Sequence, residues 1–246
     1  MKPTPGGVRI ENLSKSYGDF KALSGLNLEA AAGEITGLLG PNGAGKTTTI
    51  KLIAGLLRPD TGRVFICGTD IEKEPERAKS RFALVPDVPY LYGKLTGSEF
   101  MQFMARIYGM DTRETAPEIE KQLRVFNILD VSDDLVDSYS HGMRQRLLLA
   151  SVMMRDPEVI ILDEPMVGLD PQASRMVRGM LKEAASRGRC VFLSTHSLHD
   201  AEELCGKIAV ISRGRLAAFG TRKELRSAAG SGETLEDVYL SITSGA

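Results

Sequence analysis

The sequence has 246 residues, a formal net charge of −1 from 31 basic and 32 acidic residues, and 42% hydrophobic residues. This length corresponds to one or two domains and is sufficient to bury a core, and the composition is that of an ordinary globular protein, which excludes disordered, collagen-like and membrane-bundle classes. The balanced charge gives no bulk attraction to nucleic acid or to anionic lipid.

The sequence carries no signal for secretion or membrane insertion. Met1–Val8 contain no apolar segment typical of a signal peptide, and the densest apolar run, Leu147–Met154, is far shorter than the roughly 18 residues that span a bilayer. Cys67, Cys190 and Cys205 have neither metal-binding spacing nor a Cys-x-x-Cys pair, which favours reduced thiols. We therefore expect a cytoplasmic protein.

The first part of the chain is predicted to contain several strands, followed by one strand–loop–helix unit. Short apolar stretches broken by Gly, Asn and Asp over residues 8–34 predict antiparallel strands. The apolar run Ile35–Leu39 then leads into the Gly-rich segment Gly40–Thr47, and a helical pattern follows through about Leu57. Later apolar runs alternate with helical segments, which predicts a mostly parallel sheet covered on both faces. These runs are Val159–Leu162, Val191–Leu193 and Ile208–Ile211.

Strand signals disappear over residues 87–140, where the pattern becomes helical. Thr96 and Glu99 have the spacing of a capping box. The apolar residues that share one face of the helix after it are Phe100, Phe103, Met104, Ile107 and Tyr108. Near the C-terminus, Gly230–Gly232 interrupt the chain before a short helical candidate at residues 233–242. We therefore expect a helical insertion and a short C-terminal segment.

The segment Gly40–Thr47 fits the pattern G-x-x-x-x-G-K-[ST]. In this pattern small residues let backbone N–H groups face a phosphate, the lysine neutralises the β- and γ-phosphates, and the hydroxyl holds Mg²⁺. The strand before it and the helix after it supply the context that the motif requires, so we expect a nucleotide phosphate site rather than a structural turn. The candidate nucleotide-binding residues are Gly40, Pro41, Asn42, Gly43, Ala44, Gly45, Lys46, Thr47 and Thr48.

A second candidate element is the buried strand Val159–Leu162, which ends in the carboxylates of Asp163 and Glu164. Taken alone, the segment is also consistent with a buried strand that simply ends in polar residues. Beside a phosphate site, we expect Asp163 to hold Mg²⁺ through water and Glu164 to polarise a water for attack on the γ-phosphate. Phosphoryl transfer requires both roles, one group that holds the metal ion and one that activates the attacking water.

Three further segments, Tyr139–Arg146, Gly168–Asp170 and Ser194–His196, have a characteristic order relative to these two elements. Together the five segments resemble the nucleotide-binding subunit of ATP-binding cassette (ABC) transporters over nearly the whole chain. The resemblance implies an α/β P-loop NTPase fold with a RecA-like core, a mostly parallel sheet, an N-terminal antiparallel β subdomain and an inserted α-helical subdomain. It also implies ATP and Mg²⁺ as cofactors, with Thr47, Asp163 and Asp87 as metal ligands.

The resemblance implies contacts between two subunits. The family signature Ser-Gly-Gly-Gln is altered here to Ser140-His141-Gly142-Met143. Ser140 and Gly142 would meet the γ-phosphate of ATP bound to the opposite subunit, since a helix N-terminus attracts anions. An ordinary helix cap is the alternative for Ser140. Asp170 matches the loop that joins the two subunits at the dimer interface.

Other residues acquire roles from the same resemblance. Tyr17 stands where the family stacks an aromatic ring on adenine, and a surface strand tyrosine is the alternative. His196 matches the switch histidine that hydrogen-bonds the γ-phosphate and holds the attacking water, with a structural histidine as the alternative; His199 is expected to be an ordinary surface residue. Asp87 replaces the usual Gln, which keeps an oxygen for the metal but adds charge and removes a donor. We expect Asp87 to sense Mg-ATP with altered coupling, unless it is a simple loop aspartate.

The resemblance also implies the organisation of the chain. We expect one ABC ATPase domain, in which residues 8–86 and 155–220 form the ATPase core with its antiparallel β subdomain, residues 87–154 form the helical subdomain, and residues 221–246 form a short C-terminal extension. Each motif occurs once, and the signature acts on ATP held by another subunit. The chain should therefore dimerise head to tail around two ATP molecules, with a copy of itself or with a paralogue.

Within the family, Val85–Asp87, the signature segment and Thr234–Tyr239 resemble bacterial ABC-2-type exporters. We therefore expect an ATPase that energises export through a separate membrane permease, docked near Pro89–Tyr108 on the inner face of the cell membrane. The alternative is a stand-alone ABC ATPase that acts on ribosomes or DNA; the single cassette and the net charge of −1 disfavour it, so nucleic acid is not an expected partner. A degenerate, inactive cassette is disfavoured by the presence of Lys46, Asp163, Glu164 and His196.

Overall fold

The computed structural model describes residues 6–229 and 234–244. They fall into two units. The first unit comprises the residues up to Leu84, Glu158–Pro165 and the residues from Met180 onward; the second comprises Val85–Pro157 and Met166–Gly179. The Gly230–Gly232 break expected from the sequence lies outside the described residues.

The strands and helices follow one another along the chain as the alternation of apolar runs predicts. The strands are β1 (Val8–Tyr17), β2 (Phe20–Ala30), β3 (Ile35–Leu39), β4 (Thr61–Ile66), β5 (Thr69–Asp70), β6 (Phe82–Val85), β7 (Val159–Asp163), β8 (Cys190–Thr195), β9 (Lys207–Ser212) and β10 (Arg215–Gly220). The helices are α1 (Lys46–Ile53), α2 (Pro75–Lys79), α3 (Gly97–Ile107), α4 (Thr112–Val125), α5 (His141–Met154), α6 (Pro171–Ser186), α7 (Leu198–Leu204), α8 (Arg222–Ala229) and α9 (Leu235–Ser244). None of the helices in the described ranges is both long and apolar enough to span a membrane.

The first unit contains an antiparallel sheet and a mostly parallel sheet, as expected. The antiparallel sheet has the order β2-β1-β4-β5, and the larger sheet has the order β10-β9-β3-β8-β7-β6. Strands β3, β7 and β8 pair in parallel, and every residue of the three is buried, which explains their mostly apolar sequences.

The register of these parallel strands positions the candidate site. Leu39 of β3 pairs with Thr195 of β8, and Asp163 of β7 pairs with Ser194 of β8. The carboxyl ends of the three strands therefore lie side by side at one edge of the sheet. The residues that follow them are the Gly-rich loop, Glu164 and His196. Ligands of open α/β sheets bind at such an edge.

Several boundaries differ from those that the sequence pattern predicts. Helix α1 ends at Ile53 instead of continuing to about Leu57, because Ala54 caps it and Gly55 takes a positive φ of 63°, a conformation that ends helices. Strands β4 and β10 were not predicted. Their residues alternate between exposed and half-buried or buried positions and include charged side chains, so neither strand has the continuous apolar run of the central ones.

The second unit contains the expected helices. At the start of α3 the predicted capping box is confirmed: the Glu99 N–H donates to Thr96 Oγ1 at 3.1 Å, and the Thr96 N–H donates to Glu99 Oε2 at 2.8 Å. Phe100 is buried as the stripe of apolar residues predicts, but Ile107 and Tyr108 are 56% and 45% exposed. The buried side of α3 is instead formed by Gly97, Phe100, Met101 and Ala105, so the stripe predicted from the sequence is rotated away from the core.

The three cysteines are free, in agreement with the expected reduced thiols. Burial raises the pKa of the Cys190 and Cys205 thiols to about 12. Desolvation disfavours the charged thiolate, so both side chains are protonated at neutral pH and behave as small apolar core residues.

Candidate nucleotide site

The Gly-rich loop joins β3 to α1 through backbone conformations that need glycine. Gly45, the N-cap of α1, has a φ of 107°, and a Cβ there would lie 2.8 Å from the carbonyl oxygen of Ala22. At Gly40 a Cβ would lie 2.5 Å from the carbonyl oxygen of Ile211. The loop is closed by a hydrogen bond from the Ala44 N–H to the Pro41 carbonyl at 3.2 Å. The glycines of the motif therefore let the loop pack closely against its neighbours.

The start of α1 is suited to an anion. Its N-cap glycine has no side chain to occupy the free N–H groups of the first turn, and no acidic residue lies in that turn. Free amide donors and the positive end of the helix dipole favour negative charge at this position. A phosphate group fits this donor set.

Lys46 provides the positive charge next to these amides. Its side chain is almost fully buried, and its Nζ donates to the carbonyl oxygens of Gly40 at 2.7 Å and Pro41 at 3.3 Å. The same Nζ lies 3.4 Å from Glu164 Oε1. The ammonium group is thus held at the loop by neutral oxygens and one carboxylate, and phosphate oxygens are able to take their place.

Asp163 and Glu164 are held in place by Ser194 on the neighbouring strand. The Ser194 hydroxyl donates to Asp163 Oδ1, and the Glu164 N–H lies 3.1 Å from Ser194 Oγ and 3.2 Å from the Ser194 carbonyl oxygen. Glu164 has a positive φ of 49°, which costs a non-glycine residue about 1 kcal/mol or more. The surrounding hydrogen bonds therefore maintain a strained backbone at the end of β7.

His196 completes the cluster. Its Nδ1 lies 2.9 Å from Glu164 Oε2, and its backbone N–H donates to the same oxygen at 3.3 Å. The Glu164 carboxylate consequently bridges Lys46 through one oxygen and His196 through the other. The imidazole is 54% exposed, which leaves its other nitrogen accessible to a ligand. The structure thus brings Lys46, Glu164 and His196 together, although their roles in catalysis stay predictions.

The candidate metal ligands in the first unit are one hydroxyl and one carboxylate. Asp163 is buried at the end of β7, and Thr47 lies exposed in the first turn of α1. Within the described residues there is no group of three or more His, Cys, Asp or Glu side chains that could hold a metal ion. Two protein oxygens still suit Mg²⁺, because this ion usually retains waters and takes further oxygens from bound phosphates.

Tyr17 lies at the end of β1 and is half exposed. It pairs across the β1–β2 turn with Phe20, which is exposed as well. An exposed ring at a strand end is available for stacking on a base. The adenine contact of Tyr17 stays a prediction.

The remaining candidates lie in the second unit. Ser140 is the N-cap of α5, and its Oγ accepts the Met143 N–H at 3.3 Å. Asp170 accepts the Ala173 N–H on Oδ1 at 2.7 Å, at the start of α6. Asp87 is exposed, and its Oδ1 accepts the Val88 N–H at 2.8 Å. Ser140 therefore caps its helix as expected, which is compatible with both interpretations of this residue.

Sequence reasoning assigned no role to Ser194, which contacts both Asp163 and Glu164. The sequence places it only two residues before His196. Its contacts depend on the parallel register of β7 and β8, in which Asp163 and Ser194 are partners. A polar residue near the end of a buried strand was the available signal.

The loop, the lysine, the paired carboxylates and the histidine at one edge of a parallel sheet define a P-loop nucleotide-binding protein. The family model described as ABC transporter matches residues 23–167. The chain is 34% identical to the linearmycin resistance ATP-binding protein LnrL of Bacillus subtilis, covering 95% of this chain and 75% of that protein. It is 36% identical to the Nod factor export ATP-binding protein I of Paraburkholderia xenovorans, and the match covers 89% of this chain and 72% of that protein.

A solved structure of an ATP-binding subunit of an ABC transporter superposes with a TM-score of 0.90 at 32% identity, covering 96% of this chain and 99% of the other. The chain therefore belongs to the ABC transporter family of ATP-binding proteins. Members of this family hydrolyse ATP to power transport and work with membrane permease components.

Proposed function

We propose that this chain is the ATP-hydrolysing subunit of an exporter, and that it drives a separate membrane permease through ATP-dependent, head-to-tail dimerisation. The family and the resemblance to ABC-2-type exporters support this proposal, and one relative is named as a Nod factor export ATP-binding protein. The chain would then lie at the inner face of the membrane, attached through the permease. The transported substrate would be chosen by the permease.

The observation that carries the proposal is the bridging position of the Glu164 carboxylate between Lys46 and His196. When ATP binds, the Lys46 ammonium would pair with the β- and γ-phosphates instead of with Glu164. Glu164 Oε1 would then be free to orient a water molecule. That water attacks the γ-phosphorus and gives its proton to Glu164, while the bond to the bridging oxygen breaks and ADP leaves. His196 would hold the water and a γ-phosphate oxygen.

Thr47, Asp163 and Asp87 would be the protein ligands of Mg²⁺ in this proposal. The ion supplies neutralisation of the charge on the phosphates. Tyr17 would contact the adenine, and the backbone of Gly40–Thr48 would surround the phosphates.

In the proposed dimer, the contacts between subunits involve residues of the second unit. Ser140 and Gly142 would contact the γ-phosphate of ATP bound to a second ABC subunit, either a copy of this chain or a paralogue, and Asp170 would lie in the interface. In this arrangement the chain forms one ABC ATPase domain, with an ATPase core at residues 8–86 and 155–220, a helical part at 87–154 and an extension at 221–246.

The proposal is tested with the variant Glu164→Gln. Removal of the base should lower the rate of phosphate release by roughly 100-fold or more, while the lysine and loop still bind ATP. Size-exclusion chromatography with ATP should show a stable dimer of this variant. The matched control is Glu203→Gln, because Glu203 is an exposed carboxylate that also contacts a histidine, His199, at 3.4 Å.

Rapid turnover by Glu164→Gln would remove Glu164 from the role of base, and a monomer in the presence of ATP would contradict the dimer. Purification from membranes of the native host distinguishes the partner. Co-purification of a polytopic membrane protein would support transport, whereas recovery of ribosomes, or ATPase activity stimulated by DNA, would overturn it.

A further inference from the structure

His141 occupies an unusual position at the start of α5. It is the first residue of the helix, directly after the N-cap Ser140, and its side chain is exposed. The proposed function gives roles to Ser140 and Gly142 but none to the imidazole between them. The contacts of this ring indicate what it does.

The ring of His141 lies against Gly168 in the loop Met166–Asp170. A Cβ added at Gly168 would lie only 2.7 Å from His141 Cδ2 and 2.9 Å from His141 Nε2. The imidazole therefore fills the space that a side chain at residue 168 would occupy. Gly168 also has a positive φ of 76°, so its backbone conformation disfavours other residues independently of this contact.

A second contact joins the same two segments. A Cβ at Gly142 would lie 3.9 Å from the Gly168 carbonyl oxygen and 3.9 Å from Leu169 Cδ2, which is an ordinary van der Waals distance. The first turn of α5 thus packs against two consecutive residues of the loop. A rigid ring at residue 141 limits how far the loop moves relative to the helix.

The loop is fixed at its other end by the start of α6. The Asp170 carbonyl accepts the Ser174 N–H at 2.9 Å, and Asp170 Oδ1 accepts the Ala173 N–H at 2.7 Å. Within the loop the Leu169 N–H donates to the Met166 carbonyl at 3.3 Å. The loop is thus hydrogen-bonded to α6 at one end and contacted by the His141 ring and Gly142 of α5, so the ring contributes to the spacing between Ser140 and Asp170.

We propose that His141 is a positioning residue for ATP hydrolysis: by packing against Gly168 it holds the loop Met166–Asp170 in a fixed position relative to Ser140. This inference rests on the proposed head-to-tail dimer, in which Ser140 and Asp170 of one subunit both face the other. The imidazole acts through its shape. A ring of similar size that lacks nitrogen should therefore replace it.

The test compares His141→Gly with His141→Phe in the full chain, with steady-state ATP hydrolysis as the readout. His141→Gly should lower kcat by about fivefold and leave the KM for ATP within about twofold, because the proposed ATP site of the same subunit lies in the first unit. His141→Phe should retain kcat within about twofold. The matched control is His199→Gly, which removes another exposed histidine near the start of a helix and should leave kcat unchanged.

A double-mutant cycle tests the contact itself. Gly168→Ala should lower kcat by about tenfold, and combining it with His141→Gly should lose clearly less than the product of the two single effects, since the collision with the ring is removed. If the loss of kcat in the double variant equals the product of the losses in the two single variants, the contact is contradicted. If melting curves show that Gly168→Ala does not fold, the inference is tested by the comparison of His141→Gly with His141→Phe alone.

Two outcomes would overturn the inference: wild-type kcat for His141→Gly, or an equal loss for His141→Phe, which would indicate a chemical role of the imidazole. The unaltered chain, assayed in parallel, separates this inference from the proposed function. Absence of ATP-dependent dimers of the unaltered chain would contradict the dimer, whereas an active, dimerising chain with an unaffected His141→Gly variant would contradict only the role of His141.

Discussion

Helices α1 and α5 both begin where we propose a phosphate contact, but they begin differently. The N-cap of α1 is Gly45, with a φ of 107° and no side chain, and the N-cap of α5 is Ser140, with a φ of −61° and a hydroxyl that accepts the Met143 N–H. Neither helix has an acidic residue in its first turn. Helix α1 leaves its amides free for a ligand and has Lys46 beside them, whereas α5 satisfies one of its own amides.

In the proposed dimer, this difference separates the phosphate contacts that one chain supplies from the contact that a second subunit would add. The uncapped start of α1, with the buried Lys46 beside it, leaves amide donors and a positive charge that a bound anion would satisfy. A serine-capped start is stable without a ligand, so it tolerates a contact that forms and breaks during a catalytic cycle. Substitutions at the two helix starts should therefore have different effects on binding and turnover.

Of the substitutions at the two helix starts, Lys46→Ala should have the largest effect. Loss of charge-assisted hydrogen bonds to the phosphates should weaken ATP binding by roughly 100-fold, as measured by isothermal titration calorimetry. Lys51→Ala is the matched control, because Lys51 is an exposed lysine in the last turn of the same helix. Unchanged ATP affinity of Lys46→Ala would contradict the assignment of the phosphate site to α1.

A smaller effect is expected for Ser140→Ala, on turnover rather than binding. The substitution should lower the free energy of unfolding by about 1 kcal/mol through loss of the cap, and should lower kcat by about tenfold at unchanged ATP affinity. Thr96→Ala is a matched control, since Thr96 caps α3 in the same unit by the same type of hydrogen bond. It should lose similar stability in thermal melts but keep its kcat. Equal kcat values for the two variants would show that Ser140 is an ordinary cap.

Much of the fold could be predicted from the sequence, because its central strands are buried on both faces. The apolar runs predict the ends of β3, β7 and β8 to within two residues. Strand β4 could not be predicted, because its residues alternate in exposure and form no continuous apolar run. The buried face of α3 could not be predicted either, because apolar residues occur on more than one face of this helix.

The candidate site was only partly predictable for a similar reason. The Gly-rich loop and the two carboxylates are local patterns, and they could be read directly. The bridging of Lys46 and His196 by Glu164, and the contacts of Ser194, depend on the strand order β3-β8-β7 and on its register. No spacing in a single sequence determines the register between strands that lie far apart in the chain, as Leu39 of β3 and its partner Thr195 of β8 do.

The smallest expected effect is that of Asp87→Asn, which tests whether Asp87 acts as a ligand of Mg²⁺. The Asn side chain retains an oxygen for the Val88 N–H, which Asp87 accepts at 2.8 Å, so the loop should keep its conformation. Loss of one exposed negative charge, worth roughly 1 kcal/mol at close range, should raise the Mg²⁺ concentration for half-maximal ATPase activity by about fivefold. Asp130→Asn, at another exposed aspartate of the second unit, is the control. An unchanged Mg²⁺ requirement would make Asp87 a loop residue, and the metal would then depend on residues of the first unit.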